Sequence, residues 1–284
     1  MSLALTLLGD SCSGIPGQRF EANLARIVAR ILERNAPADA LLYLGDHVYG
    51  YTDDEPTLRA QWDHFLEHEF RPLDERYPRV LHIAGNHDAN TPISAAFCEA
   101  RMPIPPVARN RKGLNYVIDL GGAEIVVIST CDLANRGFAA VDMDWLAEAL
   151  HSLSAPIRLV AGHYPFHAVN GYEEVPKWVF PADQCMQAWR LFREAGVKAY
   201  LCSHIIAFDV QVHEDIVQLC SGGAGTEFGP DGVMGNGEFR HFVTVTVSSE
   251  RLAFEAIDEN GRVRESGSHS FTPRSRLPSA AGTR

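Results

Sequence analysis

The stretch RVLHIAGNHD, residues 79–88, decides the fold. A short apolar run is followed at once by Gly-Asn-His-Asp, so a buried strand ends by delivering polar side chains to a loop. The same arrangement recurs along the chain. Asp10 closes LTLLGD (5–10), Asp46 closes LLYLGD (41–46), His163 closes RLVAGH (158–163) and His204 closes AYLCSH (199–204). A single Gly-Asp at a strand end is usually a turn or a helix cap. Five strand ends of this kind point to one crevice, because the carboxyl ends of strands in an open α/β sheet line the ligand site.

Helical periodicity fills the gaps between these strands. In QRFEANLARIVARILERN (18–35), Phe20, Leu24, Ile27, Val28, Ile31 and Leu32 share one face. Further helices are expected at 57–70, 142–153 and 182–195. NYVIDLGGAEIVVIST (115–130) reads as two strands joined by Gly121-Gly122, and hairpins are expected around 209–223 and at 241–262. Strands alternating with helices predict parallel pairing through crossover connections, and hence an α/β fold with two packed mixed sheets in one domain, 1–271. The tail 272–284, rich in Pro, Ser, Arg and Gly, is expected to be disordered.

Bulk properties narrow the function. The chain has 284 residues, a formal charge of −11, 46% hydrophobic and 21% charged residues. That charge disfavours nucleic acid and anionic membranes as partners. Apolar runs are too short to span a bilayer, and residues 1–9 read as a first strand rather than a signal peptide. Cys12, Cys98, Cys131, Cys185, Cys202 and Cys220 show no close pairing, which fits buried reduced thiols and a cytoplasmic location.

The strand-end residues are two carboxylates, a carboxamide and histidines, a donor set suited to borderline or hard metal ions. A carboxylate on a middle strand can bridge two cations, which together clamp a phosphate and lower the pKa of water. On these motifs the chain resembles the calcineurin-like metallophosphoesterases, and within them the purple acid phosphatase branch. The family pattern D-x-H, G-D, G-N-H-[DE], H and G-H-x-H is matched in order by GDSC (9–12), GDHVY (45–49), GNHD (85–88), VAGH (160–163) and CSHII (202–206). GDHVY matches the G-D-x-x-Y of the purple branch, in which the tyrosine binds ferric iron. LCSGGAGTE (219–227) is similar to the Gly-rich strand end that follows the last motif.

The resemblance implies a four-layer α/β/β/α sandwich with two metal sites. Asp10, Asp46 and Tyr49 would serve the first, with Asp46 bridging; Asp46, Asn86, His163 and His204 would serve the second. His87, oriented by Asp88, would contact the phosphate or protonate the leaving oxygen. The implied cofactors are iron paired with iron, zinc or manganese, one or two ions per chain, and the implied substrate is a small phosphomonoester or phosphodiester.

One position departs from the pattern. Ile206 stands where the final histidine of G-H-x-H would bind the first metal, and Ser203 replaces the glycine of that motif. Cys12 reads either as a substitute ligand or as a small buried thiol. His47 and His213 are further candidate substitutes, and His167 a candidate substrate contact or turn cap. Arg101, Arg109 and Arg111 are candidates for meeting an anionic substrate. His64, His68, His151, His241 and His269 read as solvated surface. Tyr49 has a bland alternative as a packing residue of the loop YGYTDDE (49–55). Two other functions stay open: a single-iron site with non-phosphatase chemistry beside an apolar Ile206, and a binding protein without catalysis.

Overall fold

A computed structural model describes residues 1–134, 139–169, 172, 180–227 and 238–272. The strands are β1 (Ser2–Leu8), β2 (Ala40–Tyr43), β3 (Val80–His82), β4 (Arg109–Lys112), β5 (Asn115–Asp119), β6 (Ala123–Val127), β7 (Ile157–Ala161), β8 (Ala199–Cys202), β9 (Phe208–His213), β10 (Ile216–Ser221), β11 (His241–Ser248), β12 (Arg251–Asp258) and β13 (Val263–Ser270). The helices are α1 (Arg19–Arg34), α2 (Glu55–His64), α3 (Arg71–Arg76), α4 (Pro92–Arg101), α5 (Met143–His151) and α6 (Ala182–Ala195), with a π turn at Phe65–Glu69.

Two mixed sheets form. One runs β13-β12-β11-β1-β2-β3 and the other β4-β5-β6-β7-β8-β10-β9. β1 pairs parallel with β2 and antiparallel with β11, while β6, β7 and β8 run parallel to one another. Leu5, Leu7, Leu42, Val243 and Val245 of the first sheet pack against Ile125, Val127, Leu159, Leu201 and Val217 of the second. Leu24, Ile27, Trp62 and Phe65 cover the outer face of the first sheet at Leu41 and Tyr43. Trp145, Leu146, Trp189 and Phe192 cover the second at Val126, Val160 and Tyr200. The expected α/β/β/α layering is what these three apolar clusters build.

Local chemistry sets the helix ends. Asp54 accepts from the Thr57 amide at 3.0 Å and Asp142 from that of Trp145 at 3.1 Å, each satisfying a first-turn donor. Thr91 and Ser94 form a capping box for α4. Gly196 ends α6 in the left-handed region at φ 75°.

Several expectations change. The helix anticipated at 57–70 is an α-helix that widens into the π turn and continues as α3. β13 extends the hairpin by a third strand; its residues VRESGSHS are nearly all exposed, so no apolar alternation announces it, and it is held by pairing to β12 and by His269 on Asp215 at 2.7 Å. His241 is not surface but fully buried, its Nδ1 against the Phe239 carbonyl at 2.6 Å. Burial pushes that imidazole down to about 4, so it is neutral. All six cysteines are free, and five are buried. No helix among the described residues is long and apolar enough to cross a membrane. The expected tail lies, from residue 273, outside the described residues.

Leu7 is fully buried between the sheets on a central strand. Leu7→Ala is expected to cost about 2–5 kcal/mol, read as a lower urea midpoint at unchanged m-value.

Candidate metal centre

The five strand ends meet. Asp10 follows β1, Asp46 follows β2, the 85–88 turn follows β3, His163 follows β7 and His204 follows β8. Asp10, Asp46 and His204 all adopt positive φ, at 63°, 55° and 67°. Such backbone is disfavoured for residues with a Cβ and clusters at functional sites, where surrounding bonds enforce it. Here the Asp10 amide donates to the Gly45 carbonyl at 3.0 Å, and Thr226 donates to the Asp10 carbonyl through its amide at 2.9 Å and its hydroxyl at 2.6 Å. The His204 amide donates to Asp10 Oδ2 at 2.9 Å.

Asp46 faces two ways. Its Oδ1 accepts the His87 amide at 2.9 Å and lies 3.4 Å from His163 Nε2. Its Oδ2 lies 3.9 Å from Cys12 Sγ and 4.0 Å from His87 Nε2. One carboxylate thus serves two neighbouring groups of donors: Asp46 with His163 and His204, and Asp46 with Cys12 and His87.

His163 is aimed by its other nitrogen. Nδ1 lies 2.9 Å from the Leu44 carbonyl and 3.1 Å from Ser203 Oγ, turning Nε2 inward. There Nε2 is 3.0 Å from Asn86 Oδ1 and 3.2 Å from His204 Nδ1. Asp46, Asn86, His163 and His204 therefore converge on one point. Leu44 and Ser203 are the supports that sequence reasoning missed; the serine in CSHII carries the signal. Tyr164 is another, its ring 3.9 Å from that of His204.

The charges fit a cation. Burial alone would raise Asp46, but the imidazoles of His163, His87 and His204 outweigh it and hold the carboxylate well below its usual range. Burial lifts Asp10 to about 7, with His163 opposing and the Asp46 charge adding to the rise. Burial would lower His163, yet Asp46 and Asp10 carry it up to about 9. Two buried carboxylates thus draw positive charge onto one imidazole, and oxygen and nitrogen donors crowd within hydrogen-bonding distance of one another. That donor set suits a borderline or hard metal ion.

The glycines of the motifs have a steric reason. A Cβ on Gly85 would land on Asp46 Oδ1 and its amide, and one on Gly45, at φ 107°, would land on the His163 ring. Only glycine lets these strand ends approach so closely.

The first-site residues are placed less uniformly. Cys12 is buried at the centre, where burial first and then Asp46 and Asp10 push its thiol well above the usual range. Tyr49 is 44% exposed, with its ring edge-on to His87 at 6.4 Å between centroids. Ile206 is half-buried. Asp88 does not orient His87. It accepts from the amides of His47 and Gly85, each at 3.0 Å, and meets His47 Nδ1 at 2.8 Å, while His87 Nδ1 is held by the Tyr49 carbonyl at 2.6 Å.

Other candidates go elsewhere. His47 has both nitrogens engaged, by Asp88 and by His82 at 3.0 Å, so it cannot replace the missing ligand. His167 stacks on His213 at 3.7 Å beside Trp189 and Cys185, so neither joins the imidazoles of the centre. Arg101, Arg109 and Arg111 are ion-paired with Asp63, Glu124 and Glu99.

The sequence profile of the calcineurin-like phosphoesterases matches residues 5–208. The chain belongs to that family. Among solved structures, GAP50, the anchor in the inner membrane complex of Plasmodium, is similar at 15% identity and a TM-score of 0.65, over 96% of this chain and 90% of that one. A dimetal phosphatase from Danio rerio is similar at 13% identity and a TM-score of 0.62, over 95% and 99%. At such identities the likeness is one of fold. No curated protein matches this phosphoesterase-family sequence.

Gly85→Ala is expected to displace Asp46 and lower metal affinity by roughly 10–100-fold, the scale seen when supports of a ligand are disturbed. Elemental analysis after equilibrium dialysis reads this directly; wild-type metal content in a folded variant would refute it.

Proposed function

We propose that this protein hydrolyses small phosphate esters at a two-cation centre built on Asp46. The observation that carries the reading is the convergence of Asp46, Asn86, His163 and His204 on one point, with Asp46 turned also toward Cys12 and His87. Membership of the family supports metal-dependent phosphoester chemistry in general; the substrate class and the site variant are our own assignment.

Asp46, Asn86, His163 and His204 would hold one cation, and Asp46, Asp10 and Tyr49 the other, with Cys12 as the neighbouring thiol. Such a pair supplies charge neutralisation at phosphorus and water of lowered pKa. The remaining work falls to the chain. His87 lies at the rim of the centre, half-buried, with Nδ1 fixed by the Tyr49 carbonyl, so Nε2 is the atom left to face a phosphoryl oxygen. Burial opposes its protonation, but Asp46 and the Tyr49 carbonyl outweigh this and raise its pKa. A protonated His87 can donate to the leaving oxygen. Asp88 contributes at one remove: by gathering the amides of Gly85, His47 and Val48 it fixes the loop on which Asn86 and His87 are carried.

The purple-branch assignment rests on Tyr49 in GDHVY. Its hydroxyl has no hydrogen-bond partner among the described residues and stands available as a phenolate ligand to ferric iron. A visible charge-transfer band that disappears in Tyr49→Phe supports this, and a colourless iron-loaded protein would sink it.

With a chromogenic phosphate ester, His87→Ala is expected to lower kcat by about 10²–10⁴ while metal content stays constant. Unchanged turnover would remove His87 from catalysis. Ile206→His restores an imidazole beside the first site and is expected to raise its occupancy; constant metal content would show that another side chain already completes that site.

A further inference from the structure

Outside this centre, a second set of metal-ligating side chains converges behind the loop that carries Cys12. Glu21 lies in the first turn of α1, His64 is the last residue of α2, and Glu69 closes the π turn. His64 Nε2 stands 2.9 Å from Glu21 Oε1 and 3.4 Å from Glu69 Oε1, and donor atoms of all three lie within 4.8 Å of one another. Ligands bound tetrahedrally to one zinc ion at about 2.0–2.1 Å sit roughly 3.3 Å apart, so the spacing is already near that of a shared cation.

The π turn makes this possible. At ~100° per residue, side chains five apart on an α-helix diverge by about 140° around the axis. The wider turn, closed by the Phe70 amide on the Phe65 carbonyl at 2.8 Å, brings residues five apart back toward one face. Glu69 is thereby carried round to His64. Its side chain is 4% exposed, against 17% for His64 and 30% for Glu21, so the group is closed on the protein side and open to solvent on the other.

Charge points the same way. Among the described residues neither glutamate meets a lysine or arginine; both carboxylates share His64. The His68 ring lies 5.0 Å from that of His64 and is exposed. We propose that Glu21, His64 and Glu69 bind a divalent transition cation of the zinc type, with His68 or water as the fourth ligand. Mixed imidazole and carboxylate donors select such an ion over magnesium or calcium. Glu69 also accepts the Gly14 amide, 3.2 Å from each oxygen, and the Tyr49 amide donates to the Ser13 carbonyl at 2.7 Å. The bound ion therefore pins the loop that runs from Cys12 beneath Tyr49, and acts as a staple for the first half of the centre.

The test uses the full chain, stripped with chelator and titrated with Co²⁺, following visible absorption and total bound metal. His64→Gln and Glu21→Gln are each expected to bind one equivalent fewer than wild type and to lose part of the rise in Tm that Zn²⁺ produces. Equal stoichiometry and affinity in wild type and both variants would overturn the proposal. Should His64→Gln fail to fold by circular dichroism, Glu21→Gln, altered at the solvent side, decides alone.

Discussion

The Asp46 carboxylate, buried where β2 ends, is the group around which the centre is arranged. An anion in a protein interior is costly unless opposite charge and hydrogen bonds surround it. Here the His87 amide donates to it, His163 and His87 supply the positive field that keeps it ionised, and His204, kept neutral by burial, packs on His163. Those partners come from three different strand ends, so satisfying one side chain requires both sheets to be in register. The positive φ values at Asp10, Asp46 and His204 follow from this. Each turns a side chain inward at the point where its strand stops, and bonds from Gly45, Thr226 and the Asp10 carboxylate hold the disfavoured backbone in place.

Much of this was legible in the sequence. The strand ends advertise themselves because an apolar run must be followed by Gly before two backbones can meet as closely as Gly85 and Asp46 do. Helices α1 and α6 were readable because their apolar residues must face a sheet. What escaped depends on neighbours that no local pattern records. β13 is held by backbone pairing and by polar side chains such as His269 on Asp215, the π turn looks like uninterrupted helix, and His241 is buried by its neighbour Phe239 together with Phe208 from a distant strand. The same limit explains the misassigned role of Asp88. Adjacency to His87 in GNHD suggested a partnership, but the turn sends the two side chains apart and gives Asp88 to His47, a residue forty-one positions away.

The two halves of the centre differ in kind. The half containing Asn86, His163 and the half-buried His204 is tightly bonded, with a carbonyl, a hydroxyl and an aromatic ring fixing its imidazoles. The half containing Asp10, Cys12 and Tyr49 has no imidazole at position 206, a thiol kept neutral by burial, and a phenol at the surface. Oxygen-rich donors favour a hard ion, and a nitrogen-rich set a borderline one. On the proposed reading, two such unlike donor sets would suit two unlike cations, with Asp46 the carboxylate that faces both.

Substrate attraction in such a molecule cannot come from its overall field, because the chain carries eleven excess negative charges. Arg101, Arg109 and Arg111, which follow the GNHD loop in sequence, are spent on ion pairs with Asp63, Glu124 and Glu99. On the proposed reading, an anionic substrate is bound by charge confined to the centre, namely the cations and a protonated His87. Over short distances that charge dominates; beyond about a Debye length, ~8–10 Å in physiological salt, screening removes it. A small ester falls wholly inside that range, whereas a long polyanion would lay most of its charge against an acidic surface. Selection by size thus follows from where the positive charge is placed, and needs no dedicated specificity pocket.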